Sequence, residues 1–420
     1  MDNVLRRKVN KKGDRTAMLF MLYAIITIIA YTLPMLKITL PYMGVALLLL
    51  ASLAFFMYKN VKWMYFVIVL CITSVIVMAI NMMTGVQDLV GAMNEMIKNI
   101  RFFIPFLWGC YAIKNCNEKQ RKFVLIAFGI LCAYILVNTL QALAENPTIA
   151  RELAKSTSRE SAERNAYRMN NVGGFEFSYL MGIVTIGLVW NSINAKDIKL
   201  RIVSIVAAVI GYYFIIQTMY TLLLILTVMG TVLVVFYKTK STIIRFCLIL
   251  SAVALLFFME PFLKLLADLF SFNFGLQEKF TSMYLAVKFD DVDMVGSRPG
   301  MLKAAFLNWT EHPLLGGRHA VDSNAHSLIM TCLETSGLVG FGLWIGFFAT
   351  GWKMVKKELH KKQIEVALFD CAMIYVLVLS FFNPIGYHFE IVFTAFFIVP
   401  IWSSLVNTSE EAVKIRRKRI

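Results

Sequence analysis

The sequence predicts an all-α, polytopic integral membrane protein of about twelve transmembrane helices, and three observations carry that prediction. The 420 residues are 59% hydrophobic and only 16% charged. Mean hydropathy is +0.68, well above that of an ordinary soluble domain. The apolar residues also fall in runs of the roughly 20 that a bilayer's hydrocarbon core demands of a helix.

In chain order these runs centre near Ile28, Leu48, Val69, Phe106, Leu131, Val184, Val209, Leu226, Ala254, Trp344, Val376 and Phe396. The first follows a basic N-terminus and passes Tyr31 without a small-residue cleavage pattern, so it is expected to stay as an anchor. Arg101 and Pro105 interrupt the fourth. The seven cysteines occur singly, mostly inside the runs and never in a CxxC or other ligand spacing, which marks them as packing residues. No metal site is expected.

Lys and Arg fall in alternate connections and at both termini: Arg6–Arg15, Lys59/Lys62, Lys114–Lys122, Lys196–Arg201, Lys238–Arg245, Lys353–Lys362 and Lys414–Arg419. With twelve spans these lie on one side, which then holds 28 of the 42 basic residues. The positive-inside rule makes that side the cytoplasm, with both termini there, in the inner (cytoplasmic) membrane. The net charge of +16 is therefore a topology signal. Nucleic acid is not an expected partner, because no basic stretch is interleaved with aromatics.

The chain reads as a single transmembrane domain over 1–420 with two long connections on the outer side, 145–173 and 260–325, where function is expected to sit. The first carries Arg151, Lys155, Arg159, Arg164 and Arg168 among good helix formers, with Arg164 and Arg168 sharing a face at i,i+4. Arginine concentrated on the outside runs against the positive-inside bias. It suits either a helix lying on anionic headgroups or an anion clamp. In the second connection EPFLKLLADLFSFNFG has the spacing of an interfacial helix. Ser297 as a cap and Pro299 in the first turn predict a helix from near Pro299 to Trp309, ended by Glu311–Pro313 and turned at Gly316/Gly317. Arg298 then sits at a helix start, unfavourably unless an anion is shared there or the acidic Asp290, Asp291 or Asp293 pairs with it.

Asp322, Ser323 and Asn324 are all good caps, so the next helix is expected to begin near Ala325 with His326 in its first turn. Free N–H groups and the helix dipole there favour the neutral imidazole, the form that accepts a proton. Eleven residues on, Gly337 returns to nearly the same face, and with Gly340 it offers a small-residue patch for a neighbouring helix.

The pattern His326-Ser327, nine residues, Gly337, two residues, Gly340 resembles the H-[N/S/Q]-x9-G-x-x-[G/T/Y] pattern of the O-antigen ligase and O-antigen polymerase family. Arg298, Trp309 and Pro313-Leu314-Leu315-Gly316 resemble that family's run of arginine, tryptophan and "P-L-x-G" before the histidine. The likeness covers Ser297 to Gly340. It implies a multi-pass helical glycosyltransferase that needs neither nucleotide sugar nor metal or other cofactor. Such an enzyme takes a glycan from an undecaprenyl-pyrophosphate-linked donor on the outer leaflet and joins it to an acceptor hydroxyl. Besides that donor and the membrane lipids, the implied partners are a flippase and a chain-length regulator.

By position, His326 would activate or orient the acceptor and Arg298 would hold the pyrophosphate. Arg164, Arg168 and Arg101 are further candidates for the pyrophosphate, although snorkelling to headgroups is an equal account of Arg101. Glu176, Asp322 and His388 are weaker candidates for acceptor or sugar contacts; Asp322 reads more readily as a cap, and the NPIGYHFE connection holding His388 and Glu390 as a wet turn. The chain departs from many members where their "T-x-S-R" is replaced by Gln217-Thr218-Met219-Tyr220-Thr221, without arginine.

A polymerase of capsule, exopolysaccharide or O-antigen leads, with a ligase that moves finished glycan to a lipid or cell-surface acceptor as the alternative. A transporter or flippase of lipid-linked glycan is the reading from another class. It would bury ionisable groups near the bilayer midplane, where these runs hold almost none.

Overall fold

The computed structural model describes residues 2–39, 56, 60–85, 87–153, 162–239, 242–243, 258–289, 297–317 and 326–406. Among them the chain is helical, with no strand. The principal helices are α1 Asp2–Thr32, α2 Val61–Met83, α3 Leu89–Asn115, α4 Glu118–Glu145, α5 Phe175–Asn194, α6 Ile198–Gln217 and α7 Thr221–Lys238. They continue with α8 Met259–Leu269, α9 Phe274–Phe289, α10 Ser297–Glu311, α11 Leu328–Lys361, α12 Ala367–Phe382 and α13 Phe389–Val406.

Eight segments among the described residues are long and apolar enough to cross a membrane: Arg15–Thr32 of α1, then α2, α4, α5, α6, α7, α11 and α13. They coincide with eight of the twelve runs. The run at Val376 is the 16-residue α12. The run at Phe106 lies in α3, which is too polar overall to count as a span. Those at Leu48 and Ala254 lie outside the described residues.

Why α3 tolerates its polar residues follows from where it sits. Every residue from Arg101 to Ile113 is buried, and α13 beside it is 89% buried along its apolar window. Phe106 of α3 stacks on Phe396 of α13, centroids 3.8 Å apart and planes at 10°. Protein rather than lipid surrounds this pair, and that is where intramembrane polar groups are tolerated. The outer ring is the reverse: α2, α4 and α6 bury under a third of their apolar windows and show Ile68, Ile72, Ile126, Ile130, Val203 and Val209 on their exposed faces. In water such a ring would be an aggregating surface; in a bilayer it is the solvated one.

The two ends of the bundle differ. At one end, Lys114 lies over Trp63, Lys238 pairs with Glu365 at 3.4 Å, and Lys356 pairs with Asp370 at 2.9 Å. Phe20, near the start of the α1 span, packs on Tyr111 there. The described parts of both long connections stand at the opposite end. They are tied in through Tyr220, whose hydroxyl donates to the Ala150 carbonyl at 2.8 Å, and through Asn273, which donates to the Ile216 carbonyl at 3.0 Å.

Candidate functional site

α10 begins at Ser297, two residues before the expected start, and places Arg298 in its first turn; the Arg298 side chain lies outside what the structure describes, as does Asp322. The helix ends at Glu311, and the chain then turns through Pro313–Gly317, with Gly316 at φ 76°. Trp309 Nε1 donates to the Pro313 carbonyl at 3.1 Å and so closes the turn onto its own helix.

The histidine segment differs from expectation in three ways. The helix starts at Leu328, and its cap is Ser327, whose Oγ accepts from the Met330 N–H at 3.1 Å. His326 therefore stands just ahead of the cap and not in the first turn, half-buried and in the left-handed region at φ 46°. The reason is local: Ser327 has extended backbone (φ −136°, ψ 129°), as a cap must, so the residue before it is free of helical geometry.

The third difference is at Gly337, where α11 is broken: φ 59°, ψ −160°, a region open essentially to glycine alone. The face relation between His326 and Gly337 is lost with the continuous helix that it assumed. Gly337 does receive a close neighbour, but that neighbour is the backbone of the Pro313–Gly317 turn and not a helix. A Cβ there would lie 2.3 Å from the Leu314 carbonyl carbon. The N–H groups freed by the break are taken up by the turn, Leu338 donating to the Pro313 carbonyl at 2.9 Å and Val339 to that of Leu314 at 3.2 Å. In return the Gly317 N–H donates to the Glu334 carbonyl at 3.1 Å. Gly340 lies beyond the break and lines a cavity of about 60 Å³ between α2, α3 and α11, with Asn81, Glu95, Asn99, Thr335 and Ser336.

The connection that follows α12 is the hub of the site. The Ser380 carbonyl accepts from Ser327 Oγ at 3.3 Å and the Asn383 carbonyl from the Leu328 N–H at 3.1 Å, which fixes the residues next to His326. Three residues on, the Gly386 carbonyl accepts from Arg101 Nη2 at 3.5 Å. Arg101 is 4% exposed and lies midway along α3, so the snorkelling account of it fails. His388 Nδ1 lies 3.3 Å from Glu176 Oε1, while the imidazole packs on Phe175 at 4.8 Å. Asn383, Ile385, Phe389 and Glu390 are all buried, so the expectation of a wet turn is corrected as well. Nearby, Phe175, Tyr179 and Tyr220 form an aromatic group, Phe175 meeting Tyr220 edge-on at 5.8 Å.

One connection thus gathers Arg101, Glu176, His388 and the segment of His326. Arg164 and Arg168 lie on the short helix Ala162–Met169, where Arg168 Nη2 donates to the Leu153 carbonyl at 3.2 Å and so joins the residues on either side of 154–161. Tyr220, in the stretch where the arginine is missing, reaches the first connection through its hydrogen bond to Ala150.

Sequence reasoning missed Glu334. This carboxylate is 2% exposed, and its Oε1 accepts from Asn308 Nδ2 at 2.8 Å, joining α10 to α11. It also missed Asn81, whose Oδ1 accepts from Ser336 Oγ at 2.9 Å. The available signal was a glutamate and an asparagine inside apolar runs, where a polar group needs a partner.

Fold and site together define a polytopic helical membrane protein with a polar, histidine-bearing cluster at the end of its bundle that carries the long connections. No protein-family model matches the sequence, and no curated protein matches it.

Proposed function

We propose that this chain is a surface-polysaccharide polymerase, for capsule, exopolysaccharide or O-antigen. It spans the cytoplasmic membrane twelve times with both termini inside, and it elongates glycan on the outer face from an undecaprenyl-pyrophosphate donor. The acceptor sugar hydroxyl attacks the anomeric carbon of the donor, the bond from that carbon to the pyrophosphate oxygen breaks, and the pyrophosphate leaves with the electron pair. His326 takes the hydroxyl proton. Arg298 and Arg101 neutralise the charge that builds on the leaving group, with Arg164 and Arg168 at the approach. Glu176 and His388 hold sugar hydroxyls beside the aromatic faces of Phe175 and Tyr220.

The observation that carries the reading is the convergence on the 380–390 connection. A buried arginine, a carboxylate–imidazole pair and the backbone flanking His326 come there from helices far apart in sequence. The orientation rests on the basic end of the bundle, which the positive-inside rule assigns to the cytoplasm. Arg101 is the buried cation that a transporter would also use, but it is turned to a backbone carbonyl at the site.

The test is purified protein in nanodiscs supplied with undecaprenyl-pyrophosphate-linked repeat units, with products resolved by length. A ladder that disappears in His326→Ala and Arg298→Ala is the expected result. Product formed only after a separate acceptor is added would replace the polymerase with a ligase, and unchanged ladders in both variants would remove the site.

A further inference from the structure

At the start of the second long connection, α8 divides its 11 residues among three sides. One side, with Leu263, Ala267 and Phe270, packs into the apolar core, where Phe270 stacks on Phe280 of α9 with centroids 5.5 Å apart. A second side is charged and exposed, with Glu260, Lys264 and Asp268 four residues apart. The third is apolar. At 100° per residue Phe262, Leu265 and Leu269 fall within about 60° of one another, centred about 140° round the helix from the charged row. Leu265 and Leu269 are 60% and 61% exposed, and Phe258 and Phe272 extend the row at either end at 63% and 68%. An apolar row this bare is a liability in water.

Both ends of α8 stand where spans end. In sequence Phe258 follows the apolar run near Ala254, itself expected to cross the membrane. At the other end the chain leads into buried Asn273, which donates to the Ile216 carbonyl at 3.0 Å and accepts from the Leu276 N–H at 3.2 Å. Ile216 is in the last turn of α6, a helix of membrane length, and Tyr213 about one turn below it still lies on that helix's exposed apolar face. Gly275 sits against the residue that follows α6 and Thr218: a Cβ there would lie 2.5 Å from Met219 Sδ. A helix of 11 residues is about 16 Å long. Held at both ends beside span ends, it runs along the membrane surface, and its attachment to α6 sets it next to a face already given to lipid.

We propose that α8 lies in the membrane surface at this end of the bundle, with Leu265, Leu269 and the flanking Phe258 and Phe272 among the lipid acyl chains and with Glu260, Lys264 and Asp268 in the headgroup layer. In this position each exposed row meets the solvent that suits it, and the charged row forbids deeper immersion. The occupant of the apolar face is the hydrocarbon of the bilayer and not one lipid species, since the row holds no group that reads a headgroup. α8 is thereby the tether that holds the connection leading to α10 to the bilayer. The inference rests on the membrane topology and not on the reaction proposed above.

The test uses the full chain in phosphatidylcholine nanodiscs, with a nitroxide spin label on one introduced cysteine at a time: Leu265→Cys, Leu269→Cys, Lys264→Cys and Asp268→Cys. All four positions are exposed, so each variant is expected to fold, and the signal of the unsubstituted chain labelled in parallel is subtracted. Collision of the label with oxygen, which concentrates in hydrocarbon, is compared with collision with a water-soluble nickel chelate by power saturation. The expected result is an oxygen-to-nickel ratio several-fold higher at Leu265 and Leu269 than at Lys264 and Asp268. Equal nickel access at all four positions would put the apolar row in water and overturn the proposal. Labels at Leu265 and Leu269 shielded from both reagents would overturn it as well: dipolar broadening between labelled chains would then identify a second copy as the cover, and its absence another segment of the same chain.

Discussion

Replacing Gly337 by alanine should unseat the turn that precedes the histidine. The new Cβ would lie 2.3 Å from both the carbonyl carbon and the carbonyl oxygen of Leu314 and 2.5 Å from the Leu315 nitrogen. These are backbone atoms, which cannot rotate aside as a side chain would. Alanine would also have to hold φ 59°, ψ −160°, at about 1–3 kcal/mol, and the overlap adds about 1–3 kcal/mol more. If the turn moves to relieve the clash, the hydrogen bonds from Leu338 and Val339 are lost, at about 1 kcal/mol each. Either route costs about 2–6 kcal/mol, a large part of the roughly 5–15 kcal/mol typical of a folded protein. The assay is thermal unfolding in nanodiscs together with Trp309 emission, because that indole is bonded to Pro313 in the turn. Gly346→Ala is the control: it lies in the same helix with open space around its missing Cβ. A Gly337→Ala protein with wild-type midpoint, emission and elongation would refute the reasoning.

Three further outcomes follow from the site. His326→Gly relieves a left-handed backbone that costs a side-chain-bearing residue about 1 kcal/mol, so its unfolding midpoint should match or exceed that of wild type while elongation is lost; retained elongation would make the histidine merely structural. Glu176→Gln and His388→Ala should be non-additive for glycan transfer, with a coupling of about 0.5–3 kcal/mol in a double-mutant cycle, and simple additivity would separate the pair. Arg101→Met should raise the donor KM at least about tenfold, with Arg101→Lys in between, measured by initial rates of elongation; equal KM values would take Arg101 out of donor binding.

Much of the architecture was legible in the sequence because a bilayer demands length and apolarity, and both are local properties. Eight runs became helices of membrane length for that reason. α3 was harder to read because it is shielded by other helices: burial of Arg101 depends on α13 and on the 383–390 connection, which no local window reveals. The caps near His326 illustrate the same limit. The sequence offers good N-caps at Asp322, Ser323 and Asn324, yet the helix begins after Ser327, which is also bonded to Ser380, 53 residues away. Gly337 was visible as a glycine, yet its role depends on a turn brought alongside by tertiary structure. The Glu176–His388 pair spans 212 positions and has no signature in either segment alone.

The break in α11 has a mechanical consequence. An unbroken helix of 34 residues would be about 51 Å long, well beyond a hydrocarbon core of roughly 30 Å. Severed at Gly337, it leaves a nine-residue piece, Leu328 to Ser336, that is strapped to α10 by Glu334 and Asn308 and by the Gly317 hydrogen bond. Helix α10 and the short piece that follows His326 are thereby joined into one unit, set off from the rest of α11 at the glycine. Because the same piece is also held at Ser380 and Asn383, the backbone ahead of it is clamped between α10 and the connection after α12, and the break lets the rest of α11 run through the membrane at an angle set by neither.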